Sequence, residues 1–303
     1  MNARSTLLIL FAISCLLPAH AQEKRSYRAG AVVKSRELQK IATPLIRDQW
    51  VLIFEDNFDG QTLDTSRWYT CSGGWKRTHG VNEPQYYKEE NIVIDNGIAK
   101  LVAKREPGEY DAWVFDANGQ GHLEPRHLDY TSGWIETKGK YLYGLFEARI
   151  KMPAGTGFWP AFWLYGNGEE IDIFEINSDQ PKRHHITIHN WPPKAKHGFY
   201  ATHWDNASSF SDEYHIFSLE WDPEKVVIRV DGIARRIDYR HPRKVRPNSK
   251  YEINPLFPSH PQSVRINLAV APENSSFAPP PNEKTVFPAS MDVDYIRIYQ
   301  RKK

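Results

Sequence analysis

Apolar and polar residues alternate in short runs along most of the chain, and no long stretch repeats its apolar positions at the 3.6-residue spacing of a helix. The run Ile92–Ile94, the tripeptide Asp95-Asn96-Gly97 and the run Ile98–Ala103 predict a hairpin. Residues 144–153 alternate apolar with charged, which predicts a half-exposed strand with Glu147 and Arg149 towards solvent. In residues 184–191 the same alternation puts His185 and His189 on one face, with His184 read as a polar surface residue. Residues 264–269 form another strand, with Asn267 on the face opposite Val264. Many short strands, loops between them and no internal repeat predict an all-β sandwich.

One strand carries unusual chemistry. In Glu170-Ile171-Asp172-Ile173-Phe174-Glu175, strict alternation sets Glu170 and Asp172 on one face and Ile171 and Ile173 on the other. Continued unbroken, it would bury Glu175 and expose Phe174. One extra residue near Ile173 and Phe174, a β-bulge, returns Glu175 to the acidic face and Phe174 to the apolar one. The outer glutamates are then roughly 13 Å apart at Cα, and side chains leaning inward can close that towards the ~5–5.5 Å of a retaining glycosidase. Crowded carboxyls do not all ionise easily, so one stays protonated near neutral pH and can act as an acid. A plain solvated strand face with three ordinary acids is the competing reading, which the aromatic run Phe158-Trp159-Pro160-Ala161-Phe162-Trp163 just upstream disfavours.

With that run, the acidic strand resembles glycoside hydrolase family 16, in the branch with a bulged catalytic strand that includes laminarinases, agarases and carrageenases. Residues 211–221 and 287–299 are similar to later segments of the same family, so the resemblance covers roughly residues 50–300. It implies a curved β-jelly-roll sandwich of the concanavalin A-like type with a concave cleft. It also implies Glu170 as nucleophile, Glu175 as general acid/base and Asp172 as the assisting residue between them. Substrate-binding roles carry over to Asn82, Trp75, Trp159, His189 and Trp191: Trp159 beneath the sugar next to the cleavage point, His189 against the substrate or Glu175, Trp191 on the leaving-group side. Trp134 is a departure, since laminarinases often carry Arg there; a tryptophan would offer the cleft a stacking surface instead. Many relatives hold a structural calcium through an Asp matching Asp294, so such a site is an expectation here, whereas catalysis requires no cofactor.

Composition and termini narrow the rest. Residues 1–21 combine Arg4, an apolar run from Leu7 to Leu17 and Ala19-His20-Ala21, the pattern of a signal peptide and hence of an exported protein. A lipoprotein acylated at Cys15 is the weaker reading, because Ala12 stands where a large aliphatic residue is usual. Residues 22–46 read as a polar, basic leader, and 47–303 as the catalytic domain. No other run is apolar enough to span a membrane. The formal net charge of +2 does not indicate a nucleic-acid binder. Cys71 is the one cysteine beyond the signal peptide, so neither an internal disulfide nor a cysteine-based zinc site can form. Residues 234–250 hold seven basic residues against Asp238, read as a solvated loop or, alternatively, as an attraction for anionic polysaccharide.

The sequence thus predicts an exported retaining endo-β-glycosidase acting on a polysaccharide, β-1,3-glucan of the laminarin type first. Sulfated β-galactans of the agar, carrageenan or porphyran type, transglycosylation and non-catalytic carbohydrate binding are the alternatives.

Overall fold

The computed structural model describes residues 47–79, 83–116, 120–192, 196–241 and 254–302. Residues 1–46, read above as signal peptide and leader, Asn82, and the basic residues Arg243, Lys244 and Arg246 lie outside the described residues. In chain order the strands are β1 (Trp50–Asp56), β2 (Trp68–Tyr69), β3 (Gln85–Tyr87), β4 (Ile92–Asp95), β5 (Ile98–Phe115), β6 (Gly121–Ser132), β7 (Trp134–Thr137), β8 (Gly144–Lys151) and β9 (Phe158–Gly166). They continue as β10 (Glu169–Glu175), β11 (Arg183–Asn190), β12 (Gly198–Asp205), β13 (His215–Trp221), β14 (Lys225–Val230), β15 (Ile233–Tyr239), β16 (Ser263–Val270) and β17 (Ala289–Arg301). No helix among the described residues is long and apolar enough to cross a membrane.

Two sheets form a jelly-roll sandwich. One has seven strands in the order β12-β11-β10-β9-β16-β7-β2; the other has ten, with β15-β14-β13-β8-β17-β5-β6-β3 as its path, β1 on β17 and β4 on β5. Each sheet buries alternate residues against the other. Ile171, Phe174, Ile186, Ile188, Val264 and Ile266 from the first meet Phe146, Ala148, Phe217, Leu219, Ile296 and Ile298 from the second in one fully buried cluster. Each such side chain contributes about 1.5–3 kcal/mol on leaving water, enough to fix which face of every strand points inward. The residues between them on the seven-stranded sheet are left to build the outer face, and that face carries the acids.

The bulge lies where the alternation required it. Along β9, Asp172 pairs with Trp163 and Phe174 with Phe162, so Ile173 is the unpaired extra residue. Along β11, Asp172 pairs with Thr187 and Glu175 with His185, three steps on one strand against two on the other. Ile173 and Phe174 are both fully buried, Phe174 with its ring 4.5 Å from that of Phe217. Without the bulge, Phe174 would leave the core and a carboxyl would enter it, at a cost of several kcal/mol for the ionised form. The energetics of two side chains therefore set the backbone irregularity.

The surface expectation for Glu147 is corrected, while Arg149 keeps a side chain that is 38% exposed. Glu147 is 2% exposed, with the Tyr295 hydroxyl 3.2 Å from its Oε1, and Arg149 is partly covered, its guanidinium over the Tyr214 ring at 4.5 Å. Both lie on β8, which is flanked by β13 and β17, and long side chains from these neighbours close over its outer face. Arg149 also takes up Asp294, expected to bind calcium, in a close ion pair. Asp56, whose neighbourhood with Asp59 is the other acidic candidate for such an ion, accepts from the Trp68 indole at 2.7 Å. Calcium needs six to eight converging oxygens, and a carboxylate already neutralised by a guanidinium does not fit such a site.

Candidate active site

Antiparallel register turns the outer face of the seven-stranded sheet into rows of side chains running across the strands, neighbours about 4.8 Å apart. One row reads His189, Glu170, Tyr165, Ser263. The next reads Thr187, Asp172, Trp163, Arg265, Glu136. A third reads His185, Glu175, Ala161, Asn267, Trp134. Each predicted acid therefore stands in its own row on a shared floor.

The acids are tied to particular partners. His189 Nε2 lies 3.3 Å from Asp172 Oδ2 and 3.8 Å from Glu170 Oε1. The Trp159 indole donates to Glu175 Oε1 at 3.0 Å. Burial pushes the Glu170 carboxyl well above its ordinary range; Asp172 and Glu175 add repulsion, while His189 and Arg265 oppose it. Asp172 is also raised well above the usual range, first by burial and then by the charge of Glu175. Glu175 is raised by burial, with His189, Trp159 and Thr187 pulling it back. Three carboxyls so placed cannot all be anionic at neutral pH. The neighbouring Glu170 carboxyl pulls Asp172 partly back down, so the two acids titrate as a pair.

His189 thus meets the Glu170 and Asp172 side of the cluster, and Glu175 acts on it through charge alone. Its Nδ1 is 2.8 Å from His197 Nε2, and both rings stack on Trp191, at 5.1 Å and 15° for His189 and 4.3 Å and 2° for His197. Trp191 is 38% exposed, a flat surface beside the acids. Trp159 is half-buried, its indole N–H committed to Glu175 and its ring packed 4.4 Å from Phe277. Trp75 is 52% exposed on the loop after β2, at a T-shaped contact with Trp113 at 4.8 Å and with Lys76 Nζ over its ring at 4.9 Å. Glu170, Asp172 and His189 also place donor atoms within 4.8 Å of one another, the set among the described residues that could hold a cation.

Trp134 is a correction. Its ring is wholly buried beneath Tyr87, Trp163 and His79, so it offers sugar no stacking surface. It fills the floor from below. Above it, the Trp163 indole donates to Asn267 Oδ1 at 2.8 Å, and Asn267 Nδ2 donates to the Tyr87 hydroxyl at 3.1 Å. Gln85 Nε2 reaches both Tyr87 Oη at 2.9 Å and Glu83 Oε2 at 2.7 Å. Burial lifts Glu83 to about 8 and lowers His79 to about 3, so both are neutral at pH 7 and this end of the floor is polar but uncharged.

Sequence reasoning missed Arg265. It lies in register between Trp163 and Glu136, stacked 4.8 Å from the Trp163 ring and paired with Glu136 at 3.1 Å. Its alternation with Val264 and Ile266 was a usable signal, since it shares a face with Asn267. His184 was assigned to the wrong side: it is 1% exposed, on the core face with Ile186 and Ile188. Its Nε2 lies 2.7 Å from the carbonyl oxygen of Ile173.

Comparison with known proteins agrees with this geometry. The sequence profile described as glycosyl hydrolases family 16 matches residues 82–295, which is more than half the chain. The chain belongs to glycosyl hydrolases family 16. Glucan endo-1,3-beta-glucosidase A1 of Niallia circulans is 30% identical over 282 residues, covering 83% of this chain and 38% of that protein. Beta-glucanase of Rhodothermus marinus is 30% identical over 276 residues, 83% of this chain and 85% of its own. Among solved structures, the catalytic domain of an endo-1,3-beta-glucanase (laminarinase) from Thermotoga petrophila superposes with a TM-score of 0.61 at 28% identity, over 84% of this chain and 99% of that one. As a family-16 member the protein is a glycoside hydrolase, and the three-acid floor is where its chemistry is to be sought.

Proposed function

We propose that this glycoside hydrolase is a retaining endo-β-glycosidase and that its substrate is a β-1,3-glucan. The observation that carries the reading is the bulged strand, which turns Glu170 and Glu175 to one face with a different partner on each: His189 and Asp172 beside one, Trp159 beside the other. Glu170 attacks the anomeric carbon while Glu175 gives its proton to the departing glycosidic oxygen. Glu175, now a carboxylate stabilised by the Trp159 N–H, takes a proton from water, which opens the glycosyl–Glu170 ester and restores both acids. Asp172 shares the cluster's proton with Glu170 and so keeps the three acids from all being charged at once.

A neutral glucan is favoured because Arg265, the cation set into this floor, is neutralised by Glu136 and stacked under aromatic rings instead of being held out for a sulfate. The names of the two relatives and the superposed laminarinase point the same way. A polymer too large to enter a cell also fits the export proposed for this chain. The test is digestion of laminarin, κ-carrageenan and agarose side by side, with oligosaccharide sizing. Laminarin cut to a ladder of short products, and Glu170→Gln binding but not cutting it, supports the reading. Cleavage of a sulfated galactan alone would replace the substrate, and binding without any cleavage would replace the enzyme.

A further inference from the structure

The bulge leaves one backbone group unprovided for. Ile173 has no partner in register on either β9 or β11, and it lies in the fully buried core. A buried carbonyl without a donor costs about 1–3 kcal/mol. Here the donor is a side chain, His184, from the neighbouring strand. The His184 ring is enclosed, with Phe217 at 5.7 Å and Phe210 at 6.1 Å between ring centroids. Burial lowers its pKa to about 4, so the ring is neutral at pH 7. A carbonyl can only accept, so the single ring proton sits on Nε2, and the buried Nδ1 has no hydrogen-bond partner among the described residues. The ring is thus held in one tautomer by one bond, and that bond ends on the bulge.

We propose that His184 is a positioning residue for the acid/base: by donating to the Ile173 carbonyl it holds β10 in the bulged register that keeps Glu175 on the outer face. The physical reason is the choice described above between two registers. A straightened β10 carries Glu175 towards the core and Phe174 out of it, and the His184 bond exists only in the bulged form. His184 reaches no substrate and no reacting atom. The proposal rests on the assignment of Glu175 as acid/base, and the experiment separates the two.

The variants are His184→Leu, which fills the site without a donor, His184→Gln, whose side-chain N–H can replace the Nε2–H, and Glu175→Ala as reference. Each is assayed on a β-1,3-gluco-oligosaccharide and on the matching 2,4-dinitrophenyl β-glycoside, with and without sodium azide. Azide is already an anion, so it attacks the anomeric carbon of the glycosyl–Glu170 ester without a base. A C–N bond forms, the C–O bond to Glu170 breaks, and the carboxylate of Glu170 leaves. Misplacing Glu175 should lower kcat of the Leu variant about tenfold or more on the natural leaving group, with KM within about twofold. That loss should shrink on the dinitrophenyl glycoside, and azide should restore turnover with a β-glycosyl azide as product. The Gln variant should stay within a few-fold of wild type. A folded Leu variant with unchanged kcat overturns the proposal, as does a loss equal on both leaving groups and unmoved by azide. If His184→Leu does not fold, His184→Asn, too short to reach the carbonyl, is judged by the same readouts. If Glu175→Ala itself shows neither leaving-group dependence nor azide rescue, the acid/base assignment falls and the proposal with it.

Discussion

Replacing Trp159 by phenylalanine should move the alkaline limb of the pH–rate profile upward. The indole N–H donates to Glu175 Oε1 at 3.0 Å, and that bond favours the carboxylate, opposing the upward push of burial on Glu175. Phenylalanine keeps the ring that packs 4.4 Å from Phe277, so the substitution removes the donor and little else. A hydrogen bond to a charged group is worth about 1.5–3 kcal/mol, and at about 1.36 kcal/mol per pH unit that is a displacement of roughly 1–2 units. Trp159 is half-buried, so water can take up part of the vacated bond, which favours the lower end. The sign follows from the role: Glu175 must be protonated to release the first product, and without the indole it holds its proton to higher pH. The assay is kcat/KM against pH on an unactivated oligosaccharide, where proton donation matters most. An alkaline limb that stays in place or moves down would refute the reasoning.

Glu170→Gln should abolish turnover yet raise the melting temperature at pH 7. The folded-state pKa of Glu170 lies well above its unfolded value, so stability is greatest at low pH and is lost as pH rises through the unfolded pKa towards the folded one. An uncharged isostere removes that loss, and each kcal/mol relieved should appear as about 2–4 °C in a thermal melt; a melting temperature unchanged at pH 7 and pH 4 alike would count against it. Arg265→Met should destabilise by about 3–5 kcal/mol, because it removes the counter-charge of the buried Glu136 carboxylate and leaves it only the neutral Gly73 N–H and Ser263 hydroxyl donors, and adding Glu136→Gln should recover much of that in denaturant melts. Trp75→Ala and Trp113→Ala should raise KM for long glucans several-fold while leaving short oligosaccharides unaffected, since the loop ring of Trp75 and the β5 ring of Trp113 pair beyond the floor; equal effects at all chain lengths would discount a binding role. Phe174→Ala should cost about 3–5 kcal/mol and, by weakening the preference for the bulge, lower activity in the protein that remains folded.

The sequence by itself determined the faces. A period of two is local, so Glu170 against Ile171, His185 against Ile186 and Asn267 against Val264 could be assigned without coordinates. It also determined the bulge, because only an extra residue reconciles an acid at 175 with an apolar residue at 174. Only the tertiary structure decided who stands beside whom. That Trp163 separates Asp172 from Arg265 depends on the register of three strands, two of them about a hundred residues apart in the chain. Cover was equally non-local: Trp134 occupies a cleft-side position yet lies sealed under Tyr87, Trp163 and His79, and Glu147 an outer one yet is closed over by its neighbours. His184 shows both limits together. Its place one step from His185 points to the apolar face, against its reading as a surface residue, and the reason for a histidine there is a carbonyl freed by the bulge on the adjacent strand. Alternation tells a side chain which way to point; what it meets is set by the packing of distant strands.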